Sequence, residues 1–302
     1  MSNVTTIIDQ DLCTGCGLCI RVCPSQTLAM RDGVACVVGE YSLACGHCQA
    51  VCPVNAITVT GIDPAVSDFA TFPVVEEWLP HGDYDLARLV QLMRSRRSCR
   101  NYLETHVDKA LLEDLARIGA TAPSGTNSQK WTFTLLPQRR DVEFLALAIA
   151  DFFRKLNRMA AKGWLRTLLR LVGRPELHEY HREYYPAVCR ALQAFERDGE
   201  DQLFHHAPSL IVVGSRPGAS CPTEDALLAS QNILLAAHAM GLGTCLIGYA
   251  VAAMQEDCSI QQALGMEKLE TVYAVITVGW PDETYQTVTG RKSLLLRSFS
   301  AP

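Results

Sequence analysis

Read as a pattern of apolar and polar positions, the chain changes character along its length. Short apolar runs at 27–30 and 56–60 each follow a Cys-Pro step and predict two short strands in a small repeated unit. Residues 61–82 hold three prolines and no periodicity, the mark of an extended linker lying on the next domain. A helix is expected from about Asp83, with acidic residues in its first turn, running into Arg94-Ser-Arg-Arg-Ser-Cys-Arg100. A polar loop at 122–131 then separates a helix from a strand. Residues 151–172 read as one basic amphipathic helix and 176–197 as a second helix. An apolar helix at 232–240 ends in a glycine-rich stretch, and buried strands are expected at 209–213 and 273–278.

The 302 residues are too many for one small core, so two domains are expected: 1–60, then, after the 61–82 linker, 83–302, with 141–205 as a helical insertion. A net charge of -5 gives no reason to expect nucleic acid as a partner. The first residues lack a basic start and a long apolar run, and no stretch of about 18 apolar residues occurs. A cytoplasmic protein is therefore expected.

Cysteine usage changes the picture. Eight of the 13 cysteines fall between Cys13 and Cys52, whereas a disulfide scaffold would be short and spread throughout, so the clustering points to metal. Cys13-x-x-Cys16-x-x-Cys19-x-x-x-Cys23-Pro24 is the spacing that wraps an iron–sulfur cubane, with the fourth thiolate sent to a neighbouring cluster. Cys45-Gly-His-Cys48-x-x-x-Cys52-Pro53 repeats it about 29 residues later. Structural zinc uses two Cys-x-x-Cys pairs and a longer spacer instead. Residues 4–60 thus resemble the bacterial two-cluster ferredoxin. The resemblance implies two 4Fe–4S clusters, one on Cys13, Cys16, Cys19 and Cys52, the other on Cys23, Cys45 and Cys48. Its fourth corner departs from the pattern, because the repeat puts Ser42 where Cys13 stands. Ligation by Ser42, rescue by Cys36 and a 3Fe–4S cluster are three open arrangements; the bland reading of Cys36 is a small buried hydrophobe.

Four arginines within seven residues at a helix end suit an anion, since guanidinium forks match phosphate oxygens. Ser124, Asn127 and Gln129 offer hydrogen bonds to a polar ring edge. The run Gly241-Leu-Gly-Thr-Cys-Leu-Ile247-Gly248 lets backbone pass close to a planar ligand. Arg-Arg-Ser-x-Arg, Ala-Pro-Ser-x-x-Asn-x-Gln-x-Trp, His-Ala-Pro, Gly-Leu-Gly-Thr-Cys-Leu-Ile-Gly and Val-Gly-Trp-Pro occur in the order seen in the nitroreductase family, which residues 84–297 resemble. The resemblance implies an α+β sandwich, homodimeric, with FMN at the subunit interface. It further implies that Arg96, Arg97, Ser98 and Arg100 grip phosphate and the ring edge, that Arg291 and Lys292 close the phosphate site, that Ser124 and Asn127 reach the flavin from the other subunit, and that Gln129 also binds it. The Gly248 N–H would face flavin N5, where hydride enters or leaves, and Ile247 would also bind the flavin. Lys130 stands where the family usually has proline.

Two readings of 141–205 stand side by side: surface helices packing on a dimer, or a lid whose aromatics line a pocket for a flat substrate. Contact with an anionic membrane is a third and less favoured one. The expected function is an FMN-dependent oxidoreductase passing electrons between 4Fe–4S clusters and a nitroaromatic, quinone or activated double bond, with an external ferredoxin or similar carrier at the other end. A non-catalytic electron carrier and a redox-responsive regulator are the alternatives.

Overall fold

A computed structural model describes residues 2–301. Its first sixty residues form a two-fold repeat of strands and single-turn helices: β1 (Ser2–Asn3), β2 (Thr6–Ile8), α1 (Leu18–Arg21), β3 (Leu28–Arg31), β4 (Val34–Val37), β5 (Tyr41–Ser42), α2 (His47–Ala50) and β6 (Ile57–Val59). β2 pairs antiparallel with β6, joining the two ends of the module, and β3 pairs with β4 at its centre. The thiols of Cys19 and Cys48 sit in a small core with Leu28, Ala35, Ile57 and Val59. So small a core buries little apolar surface, and such domains draw stability from metal.

The segment after this module contains a turn of 3-10 helix at Pro64–Ser67 and then lies along the larger domain. The backbone N–H groups of Ala70 and Thr71 and the Thr71 hydroxyl donate to the Asp114 carboxylate at 2.7–3.0 Å. Asp114 is fully buried, and Arg117 donates to it from one turn on at 3.1 Å. Burial alone would raise its pKa, but the hydroxyl, the two N–H groups and Arg117 together hold the carboxyl below the usual range.

The larger domain runs α3 (Leu86–Ser95), α4 (Lys109–Gly119), β7 (Trp131–Leu136), α5 (Arg139–Ala160), α6 (Gly163–Leu171), α7 (Glu176–Glu183), α8 (Tyr185–Asp198), β8 (Ser209–Ser215), α9 (Pro222–Ala239), β9 (Gly243–Leu246), α10 (Gly248–Glu256), α11 (Cys258–Ala263) and β10 (Thr271–Gly279). The strands form one antiparallel sheet in the order β7-β8-β10-β9. All seven residues of β8 are buried, because helices cover both faces. Leu210 and Val212 face a core with α5, α10 and α11; Ile211 and Val213 face another with α4 and α9. On β10 a register shift between Val272 and Ala274 changes the alternation, so that Val272 and Val275 share the first core while Ala274, Ile276 and Val278 join the second. The chain is an α+β protein of two parts, a ferredoxin-like module and a helix–sheet–helix sandwich.

Two expected helices are each divided. The helix expected over 151–172 is the end of α5, an extended Lys162, and α6. α5 belongs to the main core through Val142, Leu145, Ile149 and Phe153, so residues 142–153 are not a loose insertion. The helix expected over 176–197 is α7 and α8, separated at Tyr184; Pro186, which lacks an N–H, falls in the first turn of α8, where that loss costs nothing.

Candidate electron-transfer and flavin site

The cysteines of the module converge on two cavities. Cys13, Cys16, Cys19 and Cys52 line one, and Cys23, Cys45, Cys48 and Ser42 line the other. The loop that curls round the first needs glycine at 15: its φ is +69°, and a Cβ would lie 2.1 Å from the Gly33 carbonyl oxygen. Backbone N–H groups reach sulfur from Ala35 to Cys13 (3.4 Å) and from Ala56 to Cys52 (3.2 Å), as bound thiolates require. Cys36 borders neither cavity. It pairs with Ala29 across β3 and β4, and its thiol lies 3.9 Å from the Val34 carbonyl. The Ser42 side chain is buried at the second cavity, and its Oγ accepts the Ala44 N–H at 3.0 Å. Among the described residues no group of three or more His, Cys, Asp or Glu side chains is gathered closely enough for a single ion. Mononuclear zinc would draw four ligands to about 2.3 Å of one point; thiols set around a cavity fit a cluster of several atoms.

In the larger domain, α10 begins at Gly248 beneath an open cavity of about 740 Å³, lined by Arg100, Phe153, Tyr180, Tyr184, His205, Ile247, Gly248 and Tyr249 among others. The first N–H groups of a helix have no intrahelical partner and carry its positive end. A Cβ built on Gly248 meets nothing within 4 Å, so the fold itself does not require glycine there; the bare backbone faces open space. Phe153 and Tyr184 each meet the Tyr249 ring edge-on. The carboxylate of Glu283 accepts the N–H groups of Arg100 (2.9 Å) and Asn101 (3.1 Å) and the Tyr285 hydroxyl, which fixes the chain at the cavity rim. Burial would raise its pKa, but these hydrogen bonds hold it below the ordinary value. Burial, and next the Arg100 charge, lowers the pKa of His205, so its imidazole is neutral at pH 7.

The segment 96–100 runs beside β9. Ser98 bridges to Thr244 in parallel and the Cys99 N–H donates to the Thr244 carbonyl at 2.9 Å. Burial, followed by the charge of Arg291, depresses the Arg96 pKa, so these two cations share one region. Arg97 donates to the Thr289 hydroxyl, tying the C-terminal segment to the same place. Among the described residues, Arg96, Arg97, Arg100, Arg291 and Lys292 form no ion pair with a carboxylate. Cations gathered without acidic partners are what an anionic group needs.

The loop 124–129 lies elsewhere. Its residues bond one another: Ser124 Oγ accepts the backbone N–H of Gln129 (3.1 Å), and Gln129 Nε2 donates to Asn127 Oδ1 (2.9 Å). Asn127 Nδ2 donates to the carbonyls of Leu43 (2.9 Å) and Ala44 (3.2 Å), in the module's second cavity loop. Within one chain, therefore, Ser124, Asn127 and Gln129 are not brought to the cavity that holds Arg100, Ile247 and Gly248. Sequence reasoning missed the residue that shapes this loop. Asp225 is buried on α9, accepts the Gly125 N–H (2.8 Å) and Ser128 hydroxyl (3.2 Å), and its own carbonyl accepts Trp131 Nε1–H (3.1 Å). In the sequence it is one of two acids in a helix's first turn, where acids are ordinary.

Comparison with known proteins bears on both parts. Residues 93–280 match the Nitroreductase family and residues 6–28 match a 4Fe-4S binding domain. A 4-nitrobenzoate reductase of Nocardioides sp. is 25% identical over 210 residues, covering 63% of this chain and 79% of that protein. A ferredoxin of Thermococcus litoralis is 43% identical over 54 residues, 17% of this chain and 92% of the ferredoxin. The crystal structure of a nitroreductase with bound FMN from Desulfitobacterium hafniense shares the fold, with a TM-score of 0.50 at 20% identity, over 69% of this chain and 97% of that one. The chain belongs to the nitroreductase family and carries a 4Fe–4S binding domain of the ferredoxin kind at its N-terminal end.

Proposed function

We propose that the protein is an FMN-dependent oxidoreductase that exchanges electrons between iron–sulfur clusters in its N-terminal module and a small conjugated substrate, a nitroaromatic, a quinone or an activated double bond. One observation carries the reading: a single chain holds two sulfur-lined cavities and a separate open cavity over the Gly248 helix end, with Arg100 on its wall. Bound flavin would supply the conversion between one-electron and two-electron chemistry.

The residues divide the work. Cys13, Cys16, Cys19 and Cys52 hold one cluster; Cys23, Cys45, Cys48 and Ser42 hold the other. Arg96, Arg97, Ser98, Arg291 and Lys292 bind the flavin phosphate, and Arg100 its polar edge. The Gly248 N–H, at the positive end of α10, faces the ring and favours negative charge there. Tyr180, Tyr184, Phe153 and Tyr249 exclude water and sandwich a flat acceptor. Neutral His205, on the same wall, donates a hydrogen bond to the acceptor's oxygen. The Nocardioides relative supports a nitroaromatic substrate. The apolar tail residues Leu294, Leu295, Leu296 and Phe299, 76–89% exposed, support pairing with a second copy.

The test is anaerobic reconstitution with iron, sulfide and FMN, with cofactor analysis of wild type and Gly248→Ala. The variant should fold and load clusters normally, since its Cβ meets no protein atom, yet bind FMN about tenfold or more weakly because the methyl enters the ring's space. Equal FMN affinity in both proteins would place the flavin elsewhere.

A further inference from the structure

We propose that α6 is a peripheral membrane-docking element, which lays an apolar stripe on an anionic bilayer surface while the cations around it meet lipid phosphates. The inference adds a partner surface to the molecule and stands independently of the function proposed above.

The stretch from Phe152 to Pro175 holds seven lysines and arginines and no aspartate or glutamate, in a chain whose net charge is -5. Arg154 is paired with Asp151 and Glu196, and Arg166 donates to the Ala160 carbonyl. Arg158, Lys162, Arg170 and Arg174 are exposed and form no ion pair among the described residues. The extended Lys162 separates α6 from α5, and α6 packs on α5 and α7. Its Leu165 and Leu169 are half-buried. Trp164, Leu168 and Leu171, at i, i+4 and i+7, form one stripe that is 67, 50 and 79% exposed, and Val172 beside it is 63% exposed. An apolar face turned to solvent, with cations at its border, marks contact with another surface.

Three occupants compete for this face, and its chemistry decides between them. A second copy related by two-fold symmetry would gather the same cations twice in one interface, with no acid among them. The apolar C-terminal segment of another copy carries Arg291, Lys292 and Arg297 and no acid after Glu283, so it brings only more positive charge. Nucleic acid is held by cations and by aromatics that stack on bases, and outward-facing leucines and valine gain nothing there. Anionic lipid suits both features, since apolar side chains enter the headgroup boundary and cations stay at the phosphates. Nine residues of helix span about 14 Å, under half of the roughly 30 Å hydrocarbon core, so α6 lies in the surface and does not cross it.

The experiment floats the purified full chain with vesicles, one set of phosphatidylcholine and phosphatidylglycerol in equal parts, the other of phosphatidylcholine alone. Wild type should bind the anionic vesicles roughly tenfold or more tightly than the neutral ones, and less tightly as salt rises. Tryptophan emission should shift to the blue on binding, a shift that Trp164→Phe removes. Each cation near an anionic surface contributes about fivefold, so the double variant Arg170→Gln, Arg174→Gln should weaken binding about 25-fold. Leu171→Ala should weaken it about tenfold through lost apolar burial. Arg140→Gln, at the opposite end of α5, should change it by less than about twofold. All these side chains are exposed, so thermal midpoints and cofactor content should match wild type. No binding of wild type to anionic vesicles, equal binding to neutral ones, or undiminished binding in both the double variant and Leu171→Ala overturns the inference. So does a wild-type dimer that Leu171→Ala dissociates in sedimentation velocity, because a second copy would then cover this face. None of these outcomes touches the proposed function, which is tested separately by FMN binding in Gly248→Ala.

Discussion

Cys13-Thr-Gly15-Cys16 and Ser42-Leu-Ala44-Cys45 occupy equivalent places in the two halves of the iron–sulfur module, and the two tetrapeptides are held in different ways. Beyond the tetrapeptides the halves agree: Gly17 and Gly46 cap α1 and α2 with φ of +71° and +72°, and each helix buries its first cysteine after the cap. In the first half, Gly15 lets the loop close onto the Gly33 carbonyl, and the Cys13 sulfur accepts the Ala35 N–H, so the half is finished by its own module. In the second half, the Ser42 hydroxyl accepts the Ala44 N–H within the loop, and the carbonyls of Leu43 and Ala44 turn outward to Asn127. The repeat is kept where thiol spacing and helix caps set the cavity. It departs at 42–44, where Ser, Leu and Ala replace Cys, Thr and Gly beside the contact with the catalytic domain. One half of the repeat closes its cavity within the module; the other closes its cavity and also makes an interface.

The largest effect is expected where the first half has no slack. Gly15→Ala places a methyl against the Gly33 carbonyl oxygen and forces a side chain into a left-handed conformation. Left-handed strain and overpacking together cost about 2–5 kcal/mol. A module with so small a core should lose iron and unfold at lower denaturant. Measuring iron per chain and the unfolding midpoint checks this; a variant with full iron and a wild-type midpoint would mean that the first half is as pliable as the second.

The attachment beyond the module offers the next test. Asp114 holds residues 70–71 through its buried carboxylate. Its folded pKa lies below the unfolded value, so its stabilisation is fully present above the unfolded pKa of about 3.9 and is lost as pH falls through the lower folded value. Asp114→Asn should cost about 2 kcal/mol at pH 7, as expected for hydrogen bonds to a buried charge. The gap in Tm between wild type and variant should be constant from pH 7 to about 5 and close at still lower pH. A gap independent of pH would assign the loss to shape rather than charge.

Much of the molecule is legible in its sequence where one short stretch decides the outcome. The Cys-x-x-Cys spacings gather Cys13, Cys16 and Cys19 at one cavity and Cys45 and Cys48 at the other because each loop is local, while Cys23 and Cys52 cross to the opposite cavity as the ferredoxin resemblance implies. The buried strands β8 and β10 announce themselves as apolar runs. β9 is read from sequence only as a glycine-rich passage, because a four-residue edge strand with one glycine carries little pattern. The break at Lys162 is invisible to periodicity, since α5 and α6 are both amphipathic and the pattern runs across the join. The division at Tyr184 had a signal in Pro186. The roles of Asp114, Asp225 and Asn127 were not legible as built: each partners residues between 43 and 100 positions away, and no local motif records such a pairing.

Ser42→Cys asks whether the second half differs by its ligand. A thiolate is softer than an alkoxide and loses its proton more readily, so a fourth thiol at this cavity should keep more iron and sulfide per chain after brief exposure to air. Retention no better than wild type would show that the contact with Asn127, and not the hydroxyl, sets the character of this half.

The smallest effect is expected from Ala44→Gly, and its sign is the informative part. Ala44 stands where the first half has Gly15, at φ +48°. An L side chain in the left-handed region costs about 1–2 kcal/mol, and glycine's greater freedom when unfolded returns about 0.5–1 kcal/mol of that. The substitution should therefore stabilise by less than about 1 kcal/mol in thermal unfolding. It gives the second loop the freedom of the first while leaving the Ala44 carbonyl able to accept from Asn127, so stability and hydrogen-exchange protection at 42–46 should move in opposite senses if the alanine stiffens the contact: a slightly higher Tm, with faster local exchange. A clear loss of stability would instead make the methyl a packing group, and the difference between the halves would then rest on volume rather than on the backbone.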